Sequence, residues 1–298
     1  MDNTISLKDK RKLGFSEYGD PKGKPVFFFH GSGGSRLDHP ANDSLLKTIG
    51  VRLITTDRPG HGLSEKKESR TLLDFADDIE ELADTLGIGK FYVLGHSAGG
   101  PYALACTYKL KNRIIKCGVV SGLAPYSRPK PYSGLGFSFK IIMFIIRQLP
   151  KVNYFLRKQM AKLMKFDDSI IGEKLIAGFP PEDQKHMKID NNISVLVNAI
   201  KEGYKQGHEG PAVDDIVINS PWGFTLDQIE NDTIFWHGTN DRNVPYCQAE
   251  FQHKLIKNSK LFSLDGEAHM FILSKWNEIL YELIREKTTA NRVDGRER

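Results

Sequence analysis

Three side chains with the chemistry of acyl transfer stand far apart in this sequence: Ser97, Asp241 and His269. Ser97 is the centre of Gly95-His96-Ser97-Ala98-Gly99, a G-x-S-x-G pattern. The five letters alone are commonplace, but their context is not. Tyr92, Val93 and Leu94 form a short apolar, β-prone run before them, and from Tyr102 to Cys106 the spacing becomes helical. A Ser between a strand and a helix sits on a sharp turn that pushes its hydroxyl out above a sheet. Glycines two before and two after it meet neighbouring backbone, where a Cβ would clash. A plain strand-to-helix turn with a capping Ser is the competing reading of this stretch.

A Ser nucleophile needs a base, an acid to orient that base, and donors for an oxyanion. In open α/β sheets such groups gather at the carboxyl ends of strands. The stretch from Phe235 to Pro245 supplies one such end, with Asp241 in the turn and a helix starting near Pro245. Asp265-Gly266-Glu267-Ala268-His269 places a His in the loop before the last helix. His237 is an alternative base, although its ring is expected to pack structurally, and Asp265 is an alternative acid that could orient His269 locally. The Ala98 N–H, directly after Ser97, is one oxyanion donor. The run Gly31-Ser32-Gly33-Gly34 lets backbone approach a substrate closely, and it lacks the Gly-Lys-Ser/Thr of a phosphate loop. The 9 histidines show no H-x-H or H-E-x-x-H spacing, so no metal site is expected.

The elements that would position these groups alternate. Strands are predicted at Ile5–Leu7, Leu13–Tyr18, Pro25–Phe29, Val51–Thr56, around Tyr92–Leu94, at Ile114–Val120, Asp232–His237 and Lys260–Leu264. Helices are predicted at Leu45–Ile49, Leu72–Leu86, after Ser97, at Tyr246–Leu255 and at Met270–Ile284. This alternation implies an α/β protein with a mostly parallel, doubly wound sheet of about eight strands, covered on both faces. Between Tyr126 and Asn219 it stops, leaving several predicted helices in a somewhat basic segment. The expected organisation is a core of residues 1–125 and 220–298 with a helical cap at 126–219.

This combination resembles the α/β-hydrolase family over nearly all the chain except that cap. The resemblance rests on the elbow at Ser97, on His30-Gly31 after the first buried strand, on Asp57-Arg58-Pro59-Gly60-His61-Gly62-Leu63-Ser64 as a D-x-x-G-x-G-x-S loop, and on the order Ser, Asp, His. It implies that Ser97 is the nucleophile, Asp241 the acid and His269 the base, with Ser32 N–H as the second oxyanion donor beside Ala98. It implies no cofactor. A substrate pocket is expected around His30, Gly31, Met143, Phe144, Trp222 and Met270. Other apolar cap residues (Phe137, Phe139, Phe155, Met160, Met164) either line it or only pack the cap onto the core.

The resulting expectation is a serine hydrolase cleaving an ester or thioester of a small to medium, apolar substrate. A Ser at the elbow departs from the dehalogenase and epoxide hydrolase branches, which carry Asp there. His30-Gly31-Ser32-Gly33-Gly34 departs from the H-G-G-P-G of proline iminopeptidases. Carbon–carbon bond hydrolases and cofactor-free haloperoxidases share the triad and stay open. So does a different class, a slow-turnover ligand receptor, which a ligand-dependent protein partner and negligible turnover would distinguish.

The bulk properties fit this picture. A chain of 298 residues with 40% hydrophobic and 27% charged residues can bury a sizeable core. A net charge of +5, with Lys and Arg interspersed among acids, does not call for nucleic acid. Cys106, Cys117 and Cys247 lack C-x-x-C spacing and suit a reducing cytoplasm. The run Phe137–Leu149 is interrupted by Lys140 and Arg147, too short and too charged for a membrane span, so no stable membrane insertion is expected.

Overall fold

A computed structural model describes residues 2–40, 42–125 and 137–286 of the chain. Its centre is an eight-stranded sheet in the order β1-β2-β4-β3-β5-β6-β7-β8. The strands are β1 (Asp2–Ser6), β2 (Lys12–Gly19), β3 (Lys24–Phe29), β4 (Val51–Thr56), β5 (Phe91–His96), β6 (Ile114–Val120), β7 (Thr233–Gly238) and β8 (Ser259–Leu264). β1 and β2 pair antiparallel, β2 pairs antiparallel with β4, and every pair from β4 across to β8 is parallel. The parallel strands therefore all point their carboxyl ends, and the loops that follow them, to one edge of the sheet.

The central strands are apolar without alternation because helices cover both faces. Phe27 and Phe29 point one way and Phe28 the other, as the two-residue strand period requires. On the first face Phe29 meets Phe75 edge-on at 5.3 Å, with α2 (Leu72–Thr85) and α3 (Gly99–Lys109) supplying the cover. On the second, Phe28 meets Trp276 at 5.1 Å, beneath α1 (Asp43–Thr48) and α11 (Ile272–Ile284). Each fully buried ring contributes on the order of 2–3 kcal/mol relative to exposure. Helix α2 starts at Thr71, whose hydroxyl accepts from Asp74 N while the Asp74 carboxylate accepts from Thr71 N.

Most element positions follow the periodicity. β1 begins three residues earlier than expected, because Asp2 pairs with Ser16 across the edge. α11 starts at Ile272 rather than Met270 and is kinked at Lys275. α10 (Cys247–Leu255) lies where expected.

Between β6 and β7 the described residues form six α-helices: α4 (Phe137–Gln148), α5 (Pro150–Leu163), α6 (Asp168–Ala177), α7 (Pro181–Met187), α8 (Asn192–Gly203) and α9 (Glu209–Ile218). The expected start of the cap (126–136) and the polar tail after Glu286 fall outside the described residues, as do the side chains of Phe137 and Phe139. The insertion rejoins the sheet through Trp222, which is buried and donates its indole N–H to Ile218 O at 2.9 Å. Its main ionic anchor is Asp214 on α9. That carboxylate accepts from Arg58 Nε at 2.9 Å, Arg70 Nη2 at 2.8 Å and Tyr102 OH at 2.5 Å, all from the sheet side and all buried. Burial opposes the Asp214 charge, but the two guanidinium groups overcome it and hold its pKa well below the carboxylate range.

Candidate active site

The turn after β5 is built by close packing. Ser97 has φ 53°, a left-handed conformation that is uncommon for a residue with a side chain. Its N–H donates to Val120 O at 2.8 Å, and its carbonyl accepts from Gly100 N at 3.0 Å, so neighbours on both sides hold the strained residue. A Cβ on Gly95 would lie 2.3 Å from Gly99 O, and one on Gly99 would lie 2.0 Å from Phe29 O. Both glycines are there because β3, β5 and α3 touch through backbone at this corner.

At the end of β7, the turn after Gly238 buries Asp241. Asp241 Oδ1 accepts from Asn243 N at 2.9 Å and Val244 N at 2.8 Å, which fixes the carboxylate. Oδ2 accepts from His269 Nδ1 at 2.7 Å. With Nδ1 donating, His269 keeps Nε2 as its acceptor atom. Burial penalises the Asp241 charge, yet His269 and His237 hold its pKa far below the ordinary value. Burial likewise works against a charged His269, but Asp241, then Asp183 and Asp38, raise its pKa above that of a free imidazole. His237 points its Nε2 at Val244 O (2.7 Å) and braces the turn that carries Asp241. Asp265 accepts instead from Thr239 Oγ1 at 3.2 Å.

The loop after β3 is held from three sides. Arg58 Nη1 donates to His30 O at 2.5 Å and Nη2 to Gly31 O at 2.9 Å, while Arg58 N donates to His30 Nε2 at 3.3 Å. His30 Nε2 is thus an acceptor, and its Nδ1–H donates to Gly31 O at 2.9 Å. Asp38, buried and with its pKa raised by that burial, accepts from Gly31 N at 2.9 Å. From the insertion, Arg157 Nη2 reaches Ser32 Oγ at 2.6 Å while pairing with both oxygens of Asp215, at 2.6 and 2.5 Å. The Ser32 and Ala98 amides donate to no acceptor among the described residues, and both residues border the same cavity as Ser97.

That cavity, about 720 Å³, lies between the sheet edge and the inserted helices. Ser97 and His269 open into it together with Gly31, Ser32, Ala98, Met143 and Met270. Among the described residues no hydrogen bond joins the Ser97 and His269 side chains, as is common before a substrate draws such groups together. Three residues expected in the pocket are elsewhere. His30 is fully buried behind the loop that it shapes. Trp222 packs in the core against Phe224. Phe144 is 58% exposed, because one step along α4 from Met143 turns the side chain by about 100° to the outside. Met160 lines the cavity, Met164 packs within the insertion, and Phe155 is exposed.

Several residues at the site had no signal in the sequence. Asp183 on α7 accepts from both His269 N and Met270 N, each at 2.7 Å, through one oxygen. Its other oxygen is buried without a hydrogen-bond partner. Beside it His186 Nε2 contacts Glu267 Oε2 at 2.6 Å and His186 Nδ1 contacts Ser274 Oγ at 2.7 Å. The insertion therefore clasps the loop carrying His269 from both sides. Asp183, Arg157 and Asp215 meet their partners only through the fold, which no local pattern announces.

Comparison with known proteins bears on this geometry. The sequence model of the family described as alpha/beta hydrolase fold matches residues 24–275. The chain belongs to the α/β-hydrolase family. This hydrolase is 26% identical over 270 residues to the bifunctional esterase/perhydrolase DCH of Acinetobacter calcoaceticus, covering 89% of this chain and 92% of that protein. It is 27% identical over 261 residues to the 2-hydroxy-6-oxo-6-phenylhexa-2,4-dienoate hydrolase of Burkholderia cepacia, covering 84% and 80%. Among solved structures, an esterase of Exiguobacterium antarcticum superposes with a TM-score of 0.72 at 22% identity, covering 95% of this chain and 98% of that one. The hydrolase class follows from the family, while relatives at these identities carry different activities in their names.

Proposed function

We propose that this hydrolase cleaves carboxylic esters or thioesters through an acyl-enzyme on Ser97, with the inserted helices forming a cap over the site. The observation that carries the reading is the 2.7 Å contact of His269 Nδ1 with buried Asp241, on a His that shares its cavity with a strained, outward-facing Ser97. In this reading His269 Nε2 takes the Ser97 proton as Oγ attacks the carbonyl carbon. Asp241 keeps the imidazole in the tautomer that permits this and stabilises the imidazolium. The Ser32 and Ala98 amides receive the oxyanion, each contributing on the order of 3 kcal/mol to the barrier reduction. The imidazolium protonates the leaving alkoxide or thiolate, and water, deprotonated by the same His, then frees the acid.

An ester fits the lining. Leu123, Met143, Ile146, Phe179, Leu196 and Ile200 offer apolar surface, with polar groups at the oxyanion loop and at the turn that carries Asp241. Arg157, which the cap contributes to the lining, is already paired with Asp215. The test is hydrolysis of short p-nitrophenyl esters with wild type and Ser97→Ala. The expected loss in kcat is about 10⁴-fold or more with an unchanged thermal melt. Wild-type turnover that survives in Ser97→Ala would sink the assignment. So would failure of a fluorophosphonate to label wild type.

A further inference from the structure

Cap helices α4 and α5 carry a surface that ester chemistry does not use. From residue 137 to 166 the chain holds 7 Lys or Arg and not one Asp or Glu. Helix α5 divides lengthwise into three strips. Asn153, Arg157, Met160 and Met164, at spacings of three and four, face the protein. Val152, Phe155 and Leu156 form a second strip and are 39%, 58% and 49% exposed. Lys151, Lys158, Lys162 and the following Lys165 form a third, all exposed, and none of them pairs with a carboxylate among the described residues. The apolar strip continues onto α4 with Ile141 (42% exposed) and Phe144, and crosses the corner between the helices at Leu149 (43%).

Scattered exposed apolar residues are ordinary, but a patch running along two packed helices marks a binding surface. Its occupant is indicated by charge. A rim of unpaired lysines without any acid complements a surface of uniform negative charge. Phe and Leu on one strip with Lys on the next is the composition of helices that lie in a bilayer interface. Position adds a second argument. Ile142, 51% exposed and next to Ile141 on α4, also lines the cavity that holds Ser97.

We propose that the α4–α5 face of this hydrolase rests on an anionic phospholipid bilayer, with its apolar strip at the acyl boundary and its lysines among the phosphates. No helix among the described residues is long and apolar enough to cross a membrane, so the contact is peripheral and reversible. A substrate dissolved in the bilayer would reach the cavity past Ile142; that consequence rests on the ester-hydrolase reading, whereas the adsorption does not.

Flotation of the full chain with vesicles tests this. One set is phosphatidylcholine alone and the other contains a third phosphatidylglycerol. Binding to the anionic set should be roughly tenfold tighter or more at low salt and should fall as salt screens the lysines. The double variants Phe155→Glu/Leu156→Glu and Lys158→Glu/Lys162→Glu should each lose about tenfold in binding. Because these side chains are exposed and do not line the cavity, both variants should keep the thermal melt and the hydrolysis of a water-soluble ester. Ser97→Ala should bind like wild type, which separates a failure of adsorption from a failure of the catalytic reading. Equal or absent binding to the two vesicle sets would overturn the proposal. A wild-type dimer that Phe155→Glu/Leu156→Glu converts to monomer would overturn it too, since a second copy would then cover the face.

Discussion

The two walls of the cavity are held by different mixtures of forces. On the sheet side, the turn at Ser97 is fixed by backbone contact, with Gly95 and Gly99 leaving no room for a Cβ against Gly99 O and Phe29 O. On the cap side, side-chain charge adds to backbone contact of the same kind, which recurs where Gly203 meets Gly33 O and Gly210 meets Gly60 O. Asp214 joins α9 to Arg58 and Arg70, Arg157 with Asp215 reaches Ser32, and Asp183 underlies the His269 loop. Steric contact is short-ranged and fails completely when a methyl group is inserted. Charged contacts fail by degrees, because a neutral isostere keeps part of the hydrogen bonding. The difference predicts a graded series of consequences.

The largest effect belongs to the sheet side. Gly99→Ala places a methyl 2.0 Å from Phe29 O, and neither β3 nor α3 can move without disturbing the centre of the sheet. A destabilisation of about 4 kcal/mol or more is expected, seen as loss of soluble protein or of near-ultraviolet dichroism. A folded, active Gly99→Ala protein would show that the corner yields and that the contrast between the walls is false.

Next comes the ionic anchor. Asp214→Asn leaves Arg58 and Arg70 buried with no full counter-charge. Removing one partner of such a group costs about 3–5 kcal/mol, or a drop in melting temperature of about 10 °C. Because Arg58 also holds His30 O and Gly31 O, ester hydrolysis should fall along with stability. Equal melting temperatures for Asp214→Asn and wild type would mean that the cap is held without help from this anchor.

The same contrast explains what could be read before the structure. The glycines that the steric contact demands leave a local signature, so Tyr92–Leu94 followed by Gly95 and Gly99 announces the turn in eight residues. Strand ends are equally local, which is why Asp241 and His269 stood out, although only the fold brings their atoms to 2.7 Å. The charged contacts of the cap join residues 125 apart in the case of Arg157 and Ser32, and 86 apart in the case of Asp183 and His269. No window on the chain contains both partners. The phase of α4 was illegible for another reason: Met143 faces the cavity and Phe144 the outside, and a helix apolar on both faces has no periodicity that says which turns inward.

The smallest effect is the most discriminating, and it concerns Asp183. Asp183→Asn keeps an oxygen to accept the His269 and Met270 amides, so the loop geometry should persist while the charge disappears. In the proposed mechanism His269 must be neutral to take the Ser97 proton, so kcat/KM rises with pH through the His269 pKa. Burial lowers that pKa, but Asp241, with Asp183 and Asp38 behind it, raises it above the ordinary value of about 6.5. The other rings packed nearby, His96 and His237, do not supply the negative charge; His96 is itself driven down to about 3 by burial. The acid limb of wild type should therefore lie above the usual imidazole range, and Asp183→Asn should move it to lower pH. If Asp183 merely props the loop, the variant would lower the whole profile without moving its limb. Asp183→Ala sharpens the point: leaving two buried amides without an acceptor should cost about 1–3 kcal/mol in stability, a penalty that Asp183→Asn avoids.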